Sequence, residues 1–251
     1  MSLVLAAVLA FAPMTTDPGS LPVPQEGEIY RVLNVRAAPG ELLSLMELHR
    51  DWMAMVESLG EEPVFSMRHS QGDQWDLMLI QAIGSLADYF SPERVERLLG
   101  ARSPAGRTAA ELVSAIDDAT AWREEMFATG PAASVVRDRF EGAGLFHVEM
   151  FIALPGKRGE LLDEREMENR YLAELGRDEN LIFVRVAGAA WDSFTVGFYR
   201  DMKHYAESGD RPAAAQQAAA LAAGFEGADR IGTYLRELIA SHHDTLAVPA
   251  G

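Results

Sequence analysis

Residues 75–89, WDLMLIQAIGSLADY, and residues 191–205, WDSFTVGFYRDMKHY, both open on Trp-Asp and close on Tyr, 116 positions apart. The chain has only four tryptophans, so two in the same dipeptide context are hard to ascribe to chance. The same offset relates Pro39-Gly40 to Pro155-Gly156. Between these anchors, Arg50-Asp51-Trp52-Met53 aligns with Asn169-Arg170-Tyr171-Leu172 if one half carries a small gap. Gly130-Pro131 then falls roughly where Val248-Pro249 falls. An offset kept across separate anchors marks an internal duplication.

Both halves follow one order of elements. Apolar runs over residues 29–37 and 145–153 end before the Pro-Gly turns and read as strands. Each is followed by apolar residues at helical spacing: Leu42, Leu45, Met46, Trp52, Met53, Val56 and Leu59, then Leu161, Leu162, Tyr171, Leu172 and Leu175. Gly60 and Gly176 stand where a left-handed residue stops a helix. Two hairpins come next. Residues 63–69 turn through Gln71-Gly72-Asp73 into 75–82, and 181–187 turn through Gly188-Ala189 into 191–199. A second helix starts near Ser85 and near Arg200, followed by helical excursions over 109–127 in one half and 213–223 plus 229–242 in the other. Short closing strands are expected at 127–129 and 245–248.

This is β-α-β-β-α-β twice, the split-βαβ or ferredoxin-like unit, and the fold class is α+β. Such a unit buries one sheet face under its helices and leaves the other to be covered. Two tandem repeats, at 28–135 and 142–251, supply that cover by packing sheet against sheet as an α+β barrel, a pseudo-dimer within one chain.

Ahead of them, residues 3–12 (LVLAAVLAFA) match the apolar core of a secretory signal peptide and are too short to span a bilayer. Residues 17–27 (DPGSLPVPQEG) read as a tether. A periplasmic or secreted location is the expectation for a bacterial-type chain of this kind, with a cytoplasmic protein whose N-terminal helix docks on the fold as the alternative. The mature chain is expected to have no stable membrane span. It lacks cysteine, which removes disulfides, thiolate metal ligands and cysteine nucleophiles together. Acidic residues number 38 against 22 basic, a formal charge of −16, and no basic patch offsets them; nucleic acid is excluded as a partner. A homo-oligomer is compatible with the composition.

The duplicated topology resembles the dimeric α+β barrel superfamily, in particular its tandem members. These include antibiotic-biosynthesis-type monooxygenases, NIPSNAP-like proteins, and the chlorite-dismutase and dye-decolourising peroxidase families. The resemblance covers residues 28–249 and rests on topology and duplication. Residues 193–207, SFTVGFYRDMKHYAE, look like the third strand and second helix of the monooxygenase-like domains. It implies a small-molecule ligand and monooxygenase-like oxidative chemistry. Haem-degrading members use an Asn on strand one with a Trp and a His near helix two. Here Asn34 stands on the first strand, but residues 85–100 hold neither Trp nor His. In the second half His204 is present, but Met150 takes the Asn position. No His matches the haem ligand of chlorite dismutases, and the residues leave the cofactor, haem or flavin, unknown.

Differences between the halves direct attention to the second. Its first strand alternates, with Phe146, Val148, Met150 and Ile152 on one face, suited to the helices, and His147, Glu149 and Phe151 on the other. Arg185 and Thr195 are expected to share that second face, which looks toward the other half. The first half offers Arg31, Leu33, Met67 and Leu79 instead. His147 or Glu149 would move a proton, and Arg185, with Thr195, would hold an anionic group. A salt-bridged structural cluster is the alternative. A second candidate pocket lies between helix and sheet at His49, with Glu168 as its counterpart and Asn34 and Tyr30 facing it from strand one. There the alternative is a buried, hydrogen-bonded histidine. His242-His243-Asp244 reads as the end of a helix, favourable to the helix dipole, and no metal site is assigned to it. The charged run DEREMENR (163–170) reads as solvated helix face. No Walker loop, nucleophile elbow, HExxH or dinucleotide fingerprint is present. Two functions remain: a small-molecule-binding protein with monooxygenase-like chemistry in the second-repeat pocket, or a non-catalytic exported binding or interaction protein.

Overall fold

A computed structural model describes residues 27–250; the segments expected to be a signal peptide and a tether lie, up to residue 26, outside the described residues. The first repeat runs β1 (Glu28–Ala37), α1 (Leu42–Ser58), β2 (Val64–Gln71), β3 (Leu77–Gly84), α2 (Leu86–Tyr89), α3 (Pro92–Gly100), α4 (Ala109–Asp118) and β4 (Thr120–Gly130). A linking helix, α5 (Ala133–Phe140), leads into the second repeat. That repeat runs β5 (Leu145–Ala153), α6 (Arg158–Glu174), β6 (Leu181–Gly188), β7 (Ser193–Tyr199), α7 (Met202–Ala206), α8 (Ala213–Ala223), α9 (Ile231–Leu238) and β8 (Ile239–Pro249).

The eight strands close a barrel in the order β1-β3-β2-β8-β5-β7-β6-β4. Closure depends on the last strand of each repeat. β4 pairs with β1 of its own repeat and with β6 of the other, and β8 pairs with β5 and with β2. These bridging strands are 11 residues long. They are longer than the sequence suggests, and the helices before them are shorter. The expected helix over 109–127 stops at Asp118, and that over 229–242 stops at Leu238. In β4 the charged residues alternate between exposed and half-buried, a strand wet on one side. His242-His243-Asp244 therefore lies on a strand, and no helix dipole acts on it.

The repeated Trp-Asp dipeptide holds each repeat at one corner. Asp76 accepts the Ala37 N–H at 2.8 Å and Asp192 accepts the Ala153 N–H at 2.9 Å, each just after a register shift in the preceding strand. The Asp76 N–H in turn donates to the Val35 carbonyl, and the Asp192 N–H to that of Phe151. The two tryptophans are buried. Helices α1 and α6 are both 17 residues long and start 116 positions apart, so the duplication needs no gap in this segment. Leu45 then matches Leu161 and Val56 matches Leu172, all buried.

The barrel interior is filled. One apolar cluster draws on all eight strands, through Tyr30, Val32, Met67, Ile80, Met126, Phe146, Phe183, Phe194, Ala247 and their neighbours. Phe183 stacks on Phe194 and meets Tyr30 edge-on. Leu33, Val35, Leu77 and Leu79 point outward, against Leu45, Leu48 and Met55 of α1 and Leu112 of α4. In the second repeat Phe151 packs on Leu161, Leu235 and Leu238, and the small side chains of α8 let it lie close on α6. The alternation expected for strand β5 is correct but inverted. Phe146, Val148 and Met150 face the barrel interior, and His147, Glu149 and Phe151 face the helices.

The hairpin turns fit tightly against the bridging strands. Gly188 has φ +93°, and a Cβ there would collide with the Glu125 carbonyl oxygen of β4; Gly72 stands in the same relation to Asp244 of β8. Gly156 also has positive φ (+79°) but nothing within 4 Å of a Cβ. Gly156→Ala should therefore lose only the left-handed penalty, about 1 kcal/mol. Gly188→Ala should lose that plus the displacement of β4, roughly 3 kcal/mol together. Urea unfolding of the two variants checks this, and equal losses would refute close strand contact at Gly188.

Candidate functional site

The candidate residues fall at one address in each repeat, the space between the outer sheet face and its helices. In the second repeat β5 places His147 and Glu149 on that face, and Thr195 stands directly across from Glu149 in the ladder. The Thr195 hydroxyl lies 3.2 Å from Glu149 Oε2. Helix α6 supplies what the sequence reading left in solvent. Glu164 and Arg165 are 0% and 2% exposed. The Arg165 guanidinium donates to both Glu164 carboxylate oxygens, at 2.6 and 2.8 Å, pairs with Glu168, and has Nη1 3.5 Å from Glu149. Its guanidinium carbon lies over the Phe151 ring, 4.8 Å from the centroid. His147 Nε2 is 3.5 Å from Asp244 of β8.

Arg185 is not part of this cluster. It shares the face of Leu181 and Phe183, and its guanidinium is engaged by Asp192 at 2.7 Å. The anion-holding role expected of it has no basis in that placement. Thr195 does join His147 and Glu149, but on the helix side of the sheet rather than toward the other repeat. The buried guanidinium at the site is Arg165. A gap-free offset of 116 could have found it: Glu164, Arg165 and Glu168 match Leu48, His49 and Trp52 of the apolar stripe of α1. Charge alone marked the run as solvated.

The cluster is rich in acid. Burial raises the Glu164 carboxyl above its ordinary range, against the pull of Arg165. Burial also raises Glu168, with the Glu149 and Glu164 charges adding to it and Arg165 opposing. Water moderates the Glu168 shift, because 24% of its side chain is exposed. Burial would lower Arg165, but the three surrounding carboxylates outweigh it and keep the guanidinium charged. His147 is likewise lowered by burial and raised more by its bond to Asp244 and the nearby carboxylates. The bond from His147 holds the Asp244 carboxyl low. Two buried carboxylates, Glu149 and Glu164, and the partly exposed Glu168 share one guanidinium, which offsets their desolvation.

The first repeat solves the same address differently. Arg31, Leu33, His49 and Leu79 stand where the second repeat has His147, Glu149, Arg165 and Thr195. Here a cavity of about 100 Å³ remains. Its walls are Leu33, Trp52, Val64, Leu79, Val113 and Ile116. Its polar groups are His49 and Gln81, with Arg31, Asp117 and Arg123 also lining it. Those charges are already paired, Arg31 with Glu125 and Arg123 with Asp117. Gln81 donates to the Glu62 carbonyl at 3.2 Å. His49 is 4% exposed, and its Nε2 has no hydrogen-bond partner among the described residues. Burial, helped by the Arg31 charge, lowers its pKa to about 4, so the ring is neutral at physiological pH.

Tyr30 and Asn34 do not face His49. Both point into the barrel, where the Asn34 amide is 3.7 Å from the sulfur of Met150, its own counterpart 116 residues on. Glu168, expected as the counterpart of His49, matches Trp52 instead. The Asn, Trp and His set sought from the sequence is therefore not assembled on the helix side of either repeat, and a cavity of this size takes one ring, not a porphyrin. Among the described residues no helix is long and apolar enough to cross a membrane.

No protein family matches the chain by sequence, and no curated protein does. Solved structures match across 90% of it. A candidate monooxygenase from Lactobacillus acidophilus superposes with a TM-score of 0.52 at 9% identity, over 95% of that chain. An anthrone oxidase-like protein gives 0.55 at 13% identity, over 92% of that chain. A candidate monooxygenase from Fusobacterium nucleatum gives 0.53 at 9%, over 94% of that chain. These likenesses show the fold, a closed α+β barrel of two ferredoxin-like units.

Because His49 is neutral when folded and titrates near pH 6.5 when unfolded, the unfolded state binds the extra proton first as pH falls. Its contribution to stability is complete above about pH 6.5 and is lost as pH drops toward 4, amounting to at most about 3 kcal/mol. Urea midpoints of the wild type and His49→Leu, compared from pH 7.5 to 4, should diverge in that window, with the wild type falling more steeply. Parallel curves would show that His49 is not buried in its neutral form.

Proposed function

We propose that the protein binds a small apolar molecule bearing a hydroxyl, with one ring held in the first-repeat cavity and the hydroxyl donating to His49 Nε2. One observation carries this reading: a buried neutral imidazole with an unsatisfied nitrogen lines a cavity walled by Leu33, Trp52, Val64, Leu79, Val113 and Ile116, whose lining charges are already paired. A buried acceptor without a donor loses free energy that a ligand hydroxyl restores. The volume, about 100 Å³, suits a single ring with the rest of the molecule at the mouth. The paired charges at the mouth favour a neutral ligand over an anion. On this reading the ligand sits in the first repeat, whereas the sequence favoured the second, whose corresponding space holds Arg165 and the carboxyl groups around it.

Oxidation is the reaction class we propose for this site, on the names of the structural neighbours, which include monooxygenase candidates and an anthrone oxidase-like protein. In that reaction His49 accepts the hydroxyl hydrogen bond and draws electron density onto the ring, while Leu33, Trp52 and Leu79 keep water away. A phenol so held is more readily oxidised than one in water. A binding protein without catalysis would use the same contacts.

Phenol and toluene titrations, followed by ligand-observed NMR, test the binding. Phenol should bind more tightly than toluene, and His49→Leu should weaken phenol about 3- to 10-fold while leaving toluene nearly unchanged. Val113→Trp, which fills the cavity, should abolish both. Equal affinity for the two ligands, or an unaffected His49→Leu, would overturn the reading. Dioxygen uptake with hydroxyaromatic substrates separates the oxidative protein from the binding protein.

A further inference from the structure

We infer that the second repeat carries a site for one divalent first-row transition-metal ion, held by His147, Glu149 and Asp244. The register puts all three on one face: His147 and Glu149 are two apart on β5, and Asp244 on β8 stands directly across from Glu149. One ligand atom from each lies within 4.8 Å of the others. Donors about 2.1 Å from a shared ion sit roughly 3–4 Å apart, so small side-chain rotations complete the site. Deeper in, Thr195 bonds Glu149, and on the outer side His242 Nε2 lies 3.1 Å from Asp244 Oδ2. Such outer contacts orient metal-binding carboxylates.

A second observation points to a cation independently of this convergence. Glu149 and Asp244 are like charges directly opposed across a ladder, an arrangement that destabilises a sheet. Arg165 does not answer for both. It is already shared by Glu164 and Glu168, reaches Glu149 only at 3.5 Å, and makes no ion pair with Asp244 among those of the described residues. Counting the four carboxylates of Glu149, Glu164, Glu168 and Asp244 against that one guanidinium and the imidazoles of His147 and His242, the acidic groups outnumber the basic ones even with both imidazoles charged. A divalent ion between Glu149 and Asp244 converts the repulsion into two attractions. The remaining partners are a path and a class of ion. Asp244 is 53% exposed at its side chain, so an ion and its waters enter from that edge. One imidazole nitrogen with two carboxylates suits manganese, iron(II), cobalt or zinc rather than a soft copper(I) or an all-oxygen calcium site.

The test is titration of the full chain, freed of metal with chelator, with Co²⁺ and with Zn²⁺, followed by calorimetry and by the visible d–d bands of cobalt. One equivalent per chain should bind, with cobalt bands reporting an imidazole–carboxylate environment. His147→Ala and Asp244→Asn should each weaken binding at least tenfold. Asp244→Asn, half-exposed and isosteric, keeps the fold in case His147→Ala does not. His243→Ala, on the opposite face of the same strand and bonded to Asp73, should bind as the wild type does. Absence of stoichiometric binding by either ion, or binding that survives Asp244→Asn and falls with His243→Ala, would overturn the site.

Discussion

Every strand among the described residues is paired on both sides because the last strand of each repeat crosses to the other. β4 lies between β1 and β6, and β8 lies between β5 and β2. A lone repeat would leave an open sheet edge and a wet apolar face, both aggregation hazards. Exchange of the bridging strands removes both at once. The glycines at the hairpin turns, Gly72 and Gly188, are the local requirement of that exchange, since the opposite strand's carbonyl occupies the place of a Cβ. With the interior packed by Tyr30, Phe146, Phe183, Phe194 and their neighbours, chemistry is displaced outward to the two spaces under the helices.

Those two spaces began as copies and now differ in physical kind. Under α1 an apolar wall forces His49 to stay neutral and leaves a cavity beside it. Under α6 the corresponding positions carry charge, and the space is taken up by Arg165 and the carboxylates around it. Each arrangement is consistent within itself. A single charge placed in the first would be stranded without a partner, and a single apolar substitution in the second would strand the remaining ions. Divergence of this kind requires several positions to change together: 31, 33, 48, 49, 52 and 79 against 147, 149, 164, 165, 168 and 195.

The duplication and the order of elements were legible because they depend on local signals: the Trp-Asp pairs, the Pro-Gly turns, and the apolar spacing of α1. Which face of β5 turned inward was not legible. In a closed barrel covered by helices both sheet faces are buried, so the alternation of Phe146 and His147 does not distinguish inside from outside. The same ambiguity sent Tyr30 and Asn34 to the wrong side of β1. Helix propensity around residues 119–127 and 239–242 hid the starts of β4 and β8, because these segments become strands by pairing with β1 and β5, the first strands of their own repeats and far away in sequence. Arg165 escaped notice because the charge of its run read as solvent-facing, while the gap-free match to His49 went unused and the carboxylates that let it be buried come from two elements, α6 and β5.

The claim on which the account turns is that the barrel is solid and that its free space lies under α1 alone of the two copied addresses. A crystal equilibrated under xenon gas tests this directly, since xenon enters apolar cavities and little else. The account predicts a xenon atom among Leu33, Trp52, Leu79 and His49, with none inside the barrel and none beside Arg165. Xenon in the barrel interior, or under α6 instead of α1, would contradict it.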